Sequence, residues 1–273
     1  MRMDDKDVCT LLVNSCDAYK DLWDPFFQLL NSNWPHCPYP VVLNTESEEY
    51  SCRYLQVSIC HAESSAEPWG KRLYNCVKKI QTPYIIFLLD DFFLEAPVDT
   101  GKISQCIEWM EQDHNIATFS FVPTLWEDID DKKYPGFLRR PFRCNYKVNC
   151  QAAVWRRDCL LKLIRKHETP WEFEVFGSSR ARKYRDWTFY AANKSGNCAF
   201  QYPFGGVLHG GKWTPLAVNS MISREIAVNY EVHGIQDNPT IPKQITREEE
   251  KRMPQLTVIE KLVKFIKHWK SYI

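Results

Sequence analysis

The stretch that most constrains how this chain folds is Tyr84-Ile85-Ile86-Phe87-Leu88-Leu89, an apolar run that stops at Asp90-Asp91 before Phe92-Phe93-Leu94 resumes it. A run this short, rich in Ile, Leu, Phe and Tyr and preceded by Thr82-Pro83, predicts a fully buried central strand and is too short for a helix. Two carboxylates where that strand emerges cost the fold several kcal/mol per charge unless donors or a cation neutralise them. A divalent cation does this well, because hard carboxylate oxygens suit Mg2+ or Mn2+. The plainer alternative is turn chemistry, with Asp91 capping a turn and Asp90 paired to a basic neighbour.

A chain of 273 residues has room for one large α/β domain, and 44% hydrophobic residues can fill its core. Its 35 basic and 34 acidic side chains leave no overall charge that would recommend nucleic acid as a partner. The eleven cysteines are odd in number and include no C-x-x-C pair, and the polar start Met1-Arg2-Met3-Asp4-Asp5-Lys6-Asp7 lacks the apolar core of a secretory signal. The expectation is therefore reduced thiols in a cytoplasmic setting. A zinc site at Cys144 and Cys150 would need ligand spacing that these residues lack.

Val8 to Asn14 reads as a first buried strand, with Ser15-Cys16-Asp17 as the polar turn after it. Ligands of open α/β sheets gather at the carboxyl ends of strands, which makes this turn a candidate nucleotide contact. Leu22, Phe26, Leu29 and Leu30 mark a helix, Pro40 to Glu46 a second strand and Tyr54 to Ile59 a third. A strand-helix-strand succession is right-handed and parallel by default. Trp69 to Ile80, with Leu73, Cys76, Val77 and Ile80 on one face, is a helix leading through Gln81-Thr82-Pro83 into the Tyr84–Leu89 strand.

This succession of helix, short link, buried strand and Asp90-Asp91 resembles the nucleotide-diphosphosugar glycosyltransferases of the A-type (GT-A) fold. The resemblance implies a Rossmann-type, mixed but mostly parallel sheet flanked by helices. It also implies an acidic motif whose metal, Mn2+ or Mg2+, bridges the donor's diphosphate. By the same resemblance Ser15, Asp17 and Glu46 contact the nucleoside, although Asn44-Thr45-Glu46 stands where the largest inverting family has Asp-Gly-Ser. Arg72 and Asn75 look like that family's basic and amide positions beside the nucleotide. Asp91 would hold the metal, and Asp90 the ribose or a metal-bound water. The alternative for Arg72 is an ordinary solvated helix residue.

Beyond the acidic motif, Val98 to Met110 has helical spacing, and Ala117 to Pro123 reads as another strand. Thr124 to Tyr146, charged and aromatic, reads as an irregular loop near the site. Cys150 to Trp155 is a strand, and Arg156-Arg157-Asp158 opens a helix running to Ile164. Glu172 and Glu174 then alternate with Trp171, Phe173 and Val175 after Pro170. A carboxylate in a partly desolvated aromatic pocket can serve as a general base, as inverting glycosyl transfer requires. Resembling enzymes place an acidic base at the start of the acceptor-side helix. Glu174 is favoured over Glu172, strand or helical geometry being open, and both acids could instead simply favour a helix N-terminus.

Phe204 to Trp213 gathers four glycines around His209 and Lys212. Glycines permit close backbone approach, and a lysine suits a phosphate as a point charge. The resemblance makes His209 a late metal ligand; a lone histidine in a structural hydrogen bond is the alternative. Ser178 to Lys183 reads as an exposed basic turn, and Ile222 to Val232 as a helix stopped by Gly234. In the tail, Leu256, Ile259, Leu262, Val263, Ile266 and Trp269 share one face, with Lys261, Lys264, Lys267 and Lys270 mostly opposite. Such a helix over 256–273 either lies on an anionic membrane surface or packs against the domain or a second copy of the chain, as in a homodimer.

Together these readings divide the chain into a nucleotide-sugar-binding half (1–123), an acceptor-binding half (124–235) and a C-terminal helical extension (236–273). The resemblance implies a cytoplasmic enzyme, peripheral on the inner membrane face if the tail binds lipid, that builds bacterial surface polysaccharide. Its reaction would be metal-dependent, inverting transfer of a hexosyl group from a nucleotide-diphosphate sugar to a hydroxyl of a glycan or lipid-linked saccharide. The rivals are a sugar nucleotidyltransferase, for which Asn14-Ser15-Cys16-Asp17 lacks the expected glycine, and an inert sugar-binding module of the same fold.

Overall fold

The computed structural model describes residues 5–64, 66–123, 128–193, 198–203 and 205–237. The tail helix expected over 256–273 lies outside the described residues. A short opening turn, α1 (Asp5–Val8), leads into β1 (Cys9–Asn14), α2 (Lys20–Asn33), β2 (Val41–Thr45), β3 (Val57–His61), α3 (Trp69–Lys79) and β4 (Tyr84–Leu89). There follow α4 (Thr100–Gln112), β5 (Ile116–Ser120), β6 (Phe137–Arg139), β7 (Ala153–Arg156), α5 (Arg157–Leu163), α6 (Pro170–Arg180) and β8 (Thr188–Ala192). A hairpin of β9 (Leu208–His209) and β10 (Lys212–Trp213), then α7 (Pro215–Ser223) and α8 (Tyr230–His233), complete the described chain.

Eight strands form one sheet in the order β3-β2-β1-β4-β7-β5-β8-β6. β3, β2, β1 and β4 are parallel, β7 runs antiparallel between β4 and β5, and β6 runs antiparallel to β8 at the far edge. This is the mixed, mostly parallel α/β sheet that the sequence predicts. Its apolar runs are buried on both faces, as central strands covered by helices must be. Period-2 alternation sends Leu11, Val13, Ile86 and Leu88 toward α2 and α4, while Leu12, Ile85 and Phe87 face α3, α5 and α6. Each such fully buried side chain contributes roughly 1.5–3 kcal/mol.

Several expectations need correction. The 124–146 segment is not wholly irregular: Phe137–Arg139 pairs with β8, which short, unpatterned Thr188–Ala192 did not announce. The helix expected over 222–232 is broken, because Glu225 takes a positive φ of 55° and Asn229 caps a new turn at Tyr230. Ser178–Lys183 is not an exposed turn, since Ser178 and Arg180 are buried and Arg180 forks onto both oxygens of Glu168 at 2.6 Å. Among the described residues no helix is long and apolar enough to cross a membrane.

α6 is the helix that the Glu172/Glu174 alternation left undecided. Thr169 caps it: its Oγ accepts from the Glu172 N–H at 3.3 Å while Glu172 Oε2 accepts the Thr169 N–H at 2.9 Å, and Pro170 takes the first turn. The loop before α6 lies tight against α3, where a Cβ on Gly70 would meet the Arg165 carbonyl at 2.1 Å. Only glycine lets α3 and that loop approach so closely.

Candidate active site at the carboxyl edge of the sheet

Because β1, β2 and β4 are parallel and in register, their carboxyl ends bring Ser15, Glu46 and Asp90 to one edge. Ser15 joins them. Its Oγ donates to Asp90 Oδ2 and accepts from Trp23 Nε1 at 2.7 Å, while its carbonyl accepts from Arg72 Nη1 at 2.8 Å. Arg72, 5% exposed, also holds Glu46 Oε1 at 3.1 Å, and Glu46 Oε2 accepts the Asp17 N–H at 2.5 Å. Arg72 is therefore not a solvated helix residue. Burial, the usual fate of few arginines, is made tolerable by these paired acceptors.

Asp17 faces the Thr45–Glu48 loop. Its carboxylate accepts from Thr45 Oγ1 at 2.7 Å, Ser47 Oγ at 2.7 Å and the backbone N–H groups of Glu46, Ser47 and Glu48. Partial desolvation opposes ionisation, but the Ser47, Thr45 and backbone donors outweigh it and bring the carboxyl down to about 2. Ser15, Asp17 and Glu46 are thus brought together, with Asp17 and Glu46 fixing the shape of the wall.

Asp90 is 3% exposed, and burial pushes its carboxyl up to about 7 against the donors Ser15 and Trp23. Asp91 is raised well above the usual carboxylate range, first by burial and then by the charge of Asp90. Its Oδ1 is sealed from solvent and has no hydrogen-bond partner among the described residues. The 205–207 segment is laid against it: the Val207 N–H donates to the Asp91 carbonyl at 2.9 Å, and a Cβ on Gly206 would lie 2.2 Å from Asp91 Oδ2. Gly206, at φ +83°, adopts a backbone that other residues resist. Two further sealed donors without partners among the described residues, Arg72 Nε and Asn75 Nδ2, sit one helical turn apart on α3.

The other wall comes from residues that sequence reasoning missed. Phe92 stacks on Tyr202 with ring centroids 4.2 Å apart. The Tyr202 hydroxyl accepts the Ala152 N–H at 3.1 Å and donates to Gln151 Oε1 at 3.2 Å. Two residues before Ala152, the Cys150 N–H donates to Glu174 Oε1 at 2.8 Å. The strand edge that carries Asp91 is thereby linked to Glu174 through Tyr202 and the 150–152 segment. Burial raises the Glu174 carboxyl, with the Cys150 N–H opposing it. Glu172, by contrast, closes the capping box of α6. The glycines at 205–206 were the one signal that pointed toward Tyr202.

A divalent cation fits the acidic end of β4. An enclosed carboxylate oxygen without a donor, beside a second buried carboxylate, asks for positive charge or a proton. Among the described residues no three His, Cys, Asp or Glu side chains converge, so a cation at Asp91 would draw most of its shell from water and substrate oxygens, as Mg2+ prefers. His209 is partly exposed, and its carbonyl accepts from Gln236 Nε2 at 2.9 Å. Lys212, across the Gly210-Gly211 turn, is exposed.

No protein-family model and no curated protein sequence matches the chain. Solved structures are similar to it. One is S. aureus TarS 1–349 in complex with UDP, at 12% identity over 69% of this chain and 61% of that chain, TM-score 0.45. A second is the mannosyltransferase PcManGT from Pyrobaculum calidifontis in complex with GDP-Man and Mn2+, at 10% identity over 67% of this chain and 54% of that chain, TM-score 0.45. A third is a cytidylyltransferase from Leptospira borgpetersenii serovar Hardjo-bovis, at 10% identity over 87% of this chain and 99% of that chain, TM-score 0.41. This chain spans less than two thirds of the TarS and mannosyltransferase chains. Likeness at this level concerns the arrangement of strands and helices alone.

Proposed function

We propose that the chain is a metal-dependent glycosyltransferase that moves a sugar from a nucleoside-diphosphate donor to a hydroxyl of a glycan or lipid-linked acceptor, with inversion, in surface polysaccharide synthesis. The observation that carries this reading is the acidic end of β4: Asp90 is closed onto Ser15, and Asp91 presents an enclosed oxygen that no donor among the described residues satisfies. Asp91 would hold Mn2+ or Mg2+ there, with His209 as the further protein ligand. A cation bound there would supply positive charge to stabilise the departing diphosphate. Arg72 and Asn75 offer their unpartnered donors to the nucleotide, against the wall shaped by Ser15, Asp17 and Glu46, and Lys212 approaches the phosphates from the hairpin.

Glu174 is the general base. Its desolvation and its single backbone donor leave a carboxylate poised above the ordinary glutamate range, which suits removal of a proton from an acceptor hydroxyl near neutral pH. That hydroxyl oxygen attacks the anomeric carbon from the side opposite the diphosphate, so the configuration inverts. The test is calorimetric titration with UDP- and GDP-linked sugars, with and without Mn2+. Nucleotide binding that needs Mn2+ and disappears in Asp91→Ala supports the reading. Metal-independent glycan binding that survives Asp91→Ala replaces it with a sugar-binding module.

A further inference from the structure

Away from the acidic edge, cations gather where the β6–β8 rim of the sheet meets α6. Lys147 is 5% exposed; its ammonium donates to the Phe142 carbonyl at 2.7 Å and lies 5.3 Å from the ring centroids of both Phe142 and Phe189. Arg140, just past β6 and 4% exposed, is tied to the same strand residue, its N–H donating to the Phe189 carbonyl at 2.8 Å. Its Nη2 donates to the Asn145 carbonyl at 2.9 Å and reaches Cys144 Sγ at 3.6 Å. Its Nε and Nη1 are sealed from solvent and have no hydrogen-bond partner among the described residues. Next to Lys147, the Val148 N–H donates to Ser178 Oγ of α6 at 3.0 Å. One turn on, in the 3-10 turn Ala181–Lys183 that continues α6, Arg182 carries another sealed Nε without a partner among the described residues.

Carboxylates answer only part of this charge. Arg139 pairs with Asp131 at 3.1 Å, and Arg140 Nε stands 3.5 Å from Asp128 Oδ1, an ion pair beyond good hydrogen-bond length. Lys147 and Arg182 have no carboxylate partner among the described residues. Buried cations are stable when they are paired, and these are paired incompletely. Burial and then the charges of Arg182, Arg140 and Arg139 bring the Lys147 ammonium down to about 8, with Cys144 opposing them. An oxyanion, with several acceptor oxygens on one centre, can satisfy the open donors of both arginines and the remaining N–H groups of Lys147. Phe142 and Tyr146, each 46% exposed on the loop that carries Lys147, offer flat faces beside it, which a sugar ring can use and a bare anion cannot.

We propose that Arg140, Lys147 and Arg182 bind a phosphate group carried by the saccharide acceptor, with Phe142 and Tyr146 against its sugar. The anion site stands on its own geometry; naming the acceptor as its ligand rests on the glycosyl-transfer reading above. Lys147 lies three residues before Cys150, whose N–H donates to Glu174 Oε1. The Cα atoms of Lys147 and Cys150 are therefore at most about 11 Å apart. A phosphate held at one end of that span leaves a hydroxyl of the same molecule within reach of the base at the other.

The experiment titrates the full chain by calorimetry at pH 7 in EDTA, at constant ionic strength, with inorganic phosphate, glucose 1-phosphate and glucose. Both phosphates should bind at one site, glucose 1-phosphate the more tightly, and glucose should bind least. Arg182→Gln and Lys147→Met should each weaken glucose 1-phosphate at least about tenfold, as loss of a charge-assisted hydrogen bond requires, and leave Mn2+-dependent binding of UDP- or GDP-linked sugars unchanged. On the unsubstituted chain glucose 1-phosphate should slow amide hydrogen exchange in 140–148 and 178–183, a readout that decides the matter if neither variant folds. No phosphate binding, binding indifferent to a folded variant, or slowed exchange elsewhere overturns the proposal. Inorganic phosphate binding as tightly as glucose 1-phosphate overturns the saccharide as its ligand. Phosphate binding here in a chain that takes no nucleotide sugar sinks the glycosyl-transfer reading and not the anion site; nucleotide-sugar binding without phosphate binding does the reverse.

Discussion

At the scale of single residues, the site depends on two positions that do opposite things. Gly206 gives Asp91 room. Adding a methyl there puts carbon 2.2 Å from Asp91 Oδ2 on a backbone at φ +83°. Gly206→Ala is therefore expected to cost at least about 2 kcal/mol in urea unfolding and to abolish Mn2+-dependent nucleotide binding. Glu174, as the proposed base, would provide chemistry instead of room. Because its folded-state carboxyl is raised by burial, it is protonated and idle below that value and becomes the competent base as pH rises through it. The rate should climb with pH along a limb lying above the ordinary glutamate value of about 4.3. Glu174→Gln should remove that limb and lower kcat about 10²- to 10⁴-fold, with donor affinity measured by calorimetry unchanged.

At the scale of elements, α6 shows what could and could not be read in advance. The alternation Trp171-Glu172-Phe173-Glu174 fits a strand or a first helical turn equally well, and the tertiary setting decides: Thr169 closes a capping box, and the far end of the helix is pinned by Arg180 on Glu168. That pair, 1% and 0% exposed, lies 12 residues apart, a reach that no local pattern announces. Arg180→Met should cost about 3–5 kcal/mol in thermal or urea unfolding by leaving Glu168 buried and alone, while Arg180→Met with Glu168→Leu should recover most of it. β1, β2, α3 and β4 were legible because their apolar period is strong and their boundaries carry Pro or Asp. β6 and β8 were not, because three residues at a sheet edge and Thr188-Phe189-Tyr190-Ala191-Ala192 owe their extended form to partners far away in sequence. The candidate site divides the same way: Asp90 and Asp91 stood out as charge at the end of an apolar run, but the use of Tyr202 and Trp23 depends on which loops meet.

At the scale of the whole molecule, the two halves of the chain proposed to bind nucleotide sugar and acceptor are joined by a backbone ladder. β4 carries the acidic pair, and β7, which begins just after the 150–152 segment that holds Glu174, is paired to β4 along Tyr84–Phe87. β7 is in turn paired to β5, and β5 to β8, so one sheet runs from the Ser15 edge through to the second half of the chain. Hydrophobic packing on both faces follows the same continuity, with Leu12, Phe87, Trp155 and Phe189 in one cluster beneath α3, α5 and α6. A molecule built this way should melt in one step, the calorimetric and van't Hoff enthalpies agreeing, and not as two lobes. Mn2+ with a bound nucleotide sugar should move that single transition upward as a unit, by an amount set by ligand concentration over Kd, since the ligand binds only the folded form. Two resolved transitions, one of them unmoved by ligand, would mean that the halves fold separately and that the link from Asp91 through Tyr202 to Glu174 is not a fixed distance across which a base and a leaving group can be set.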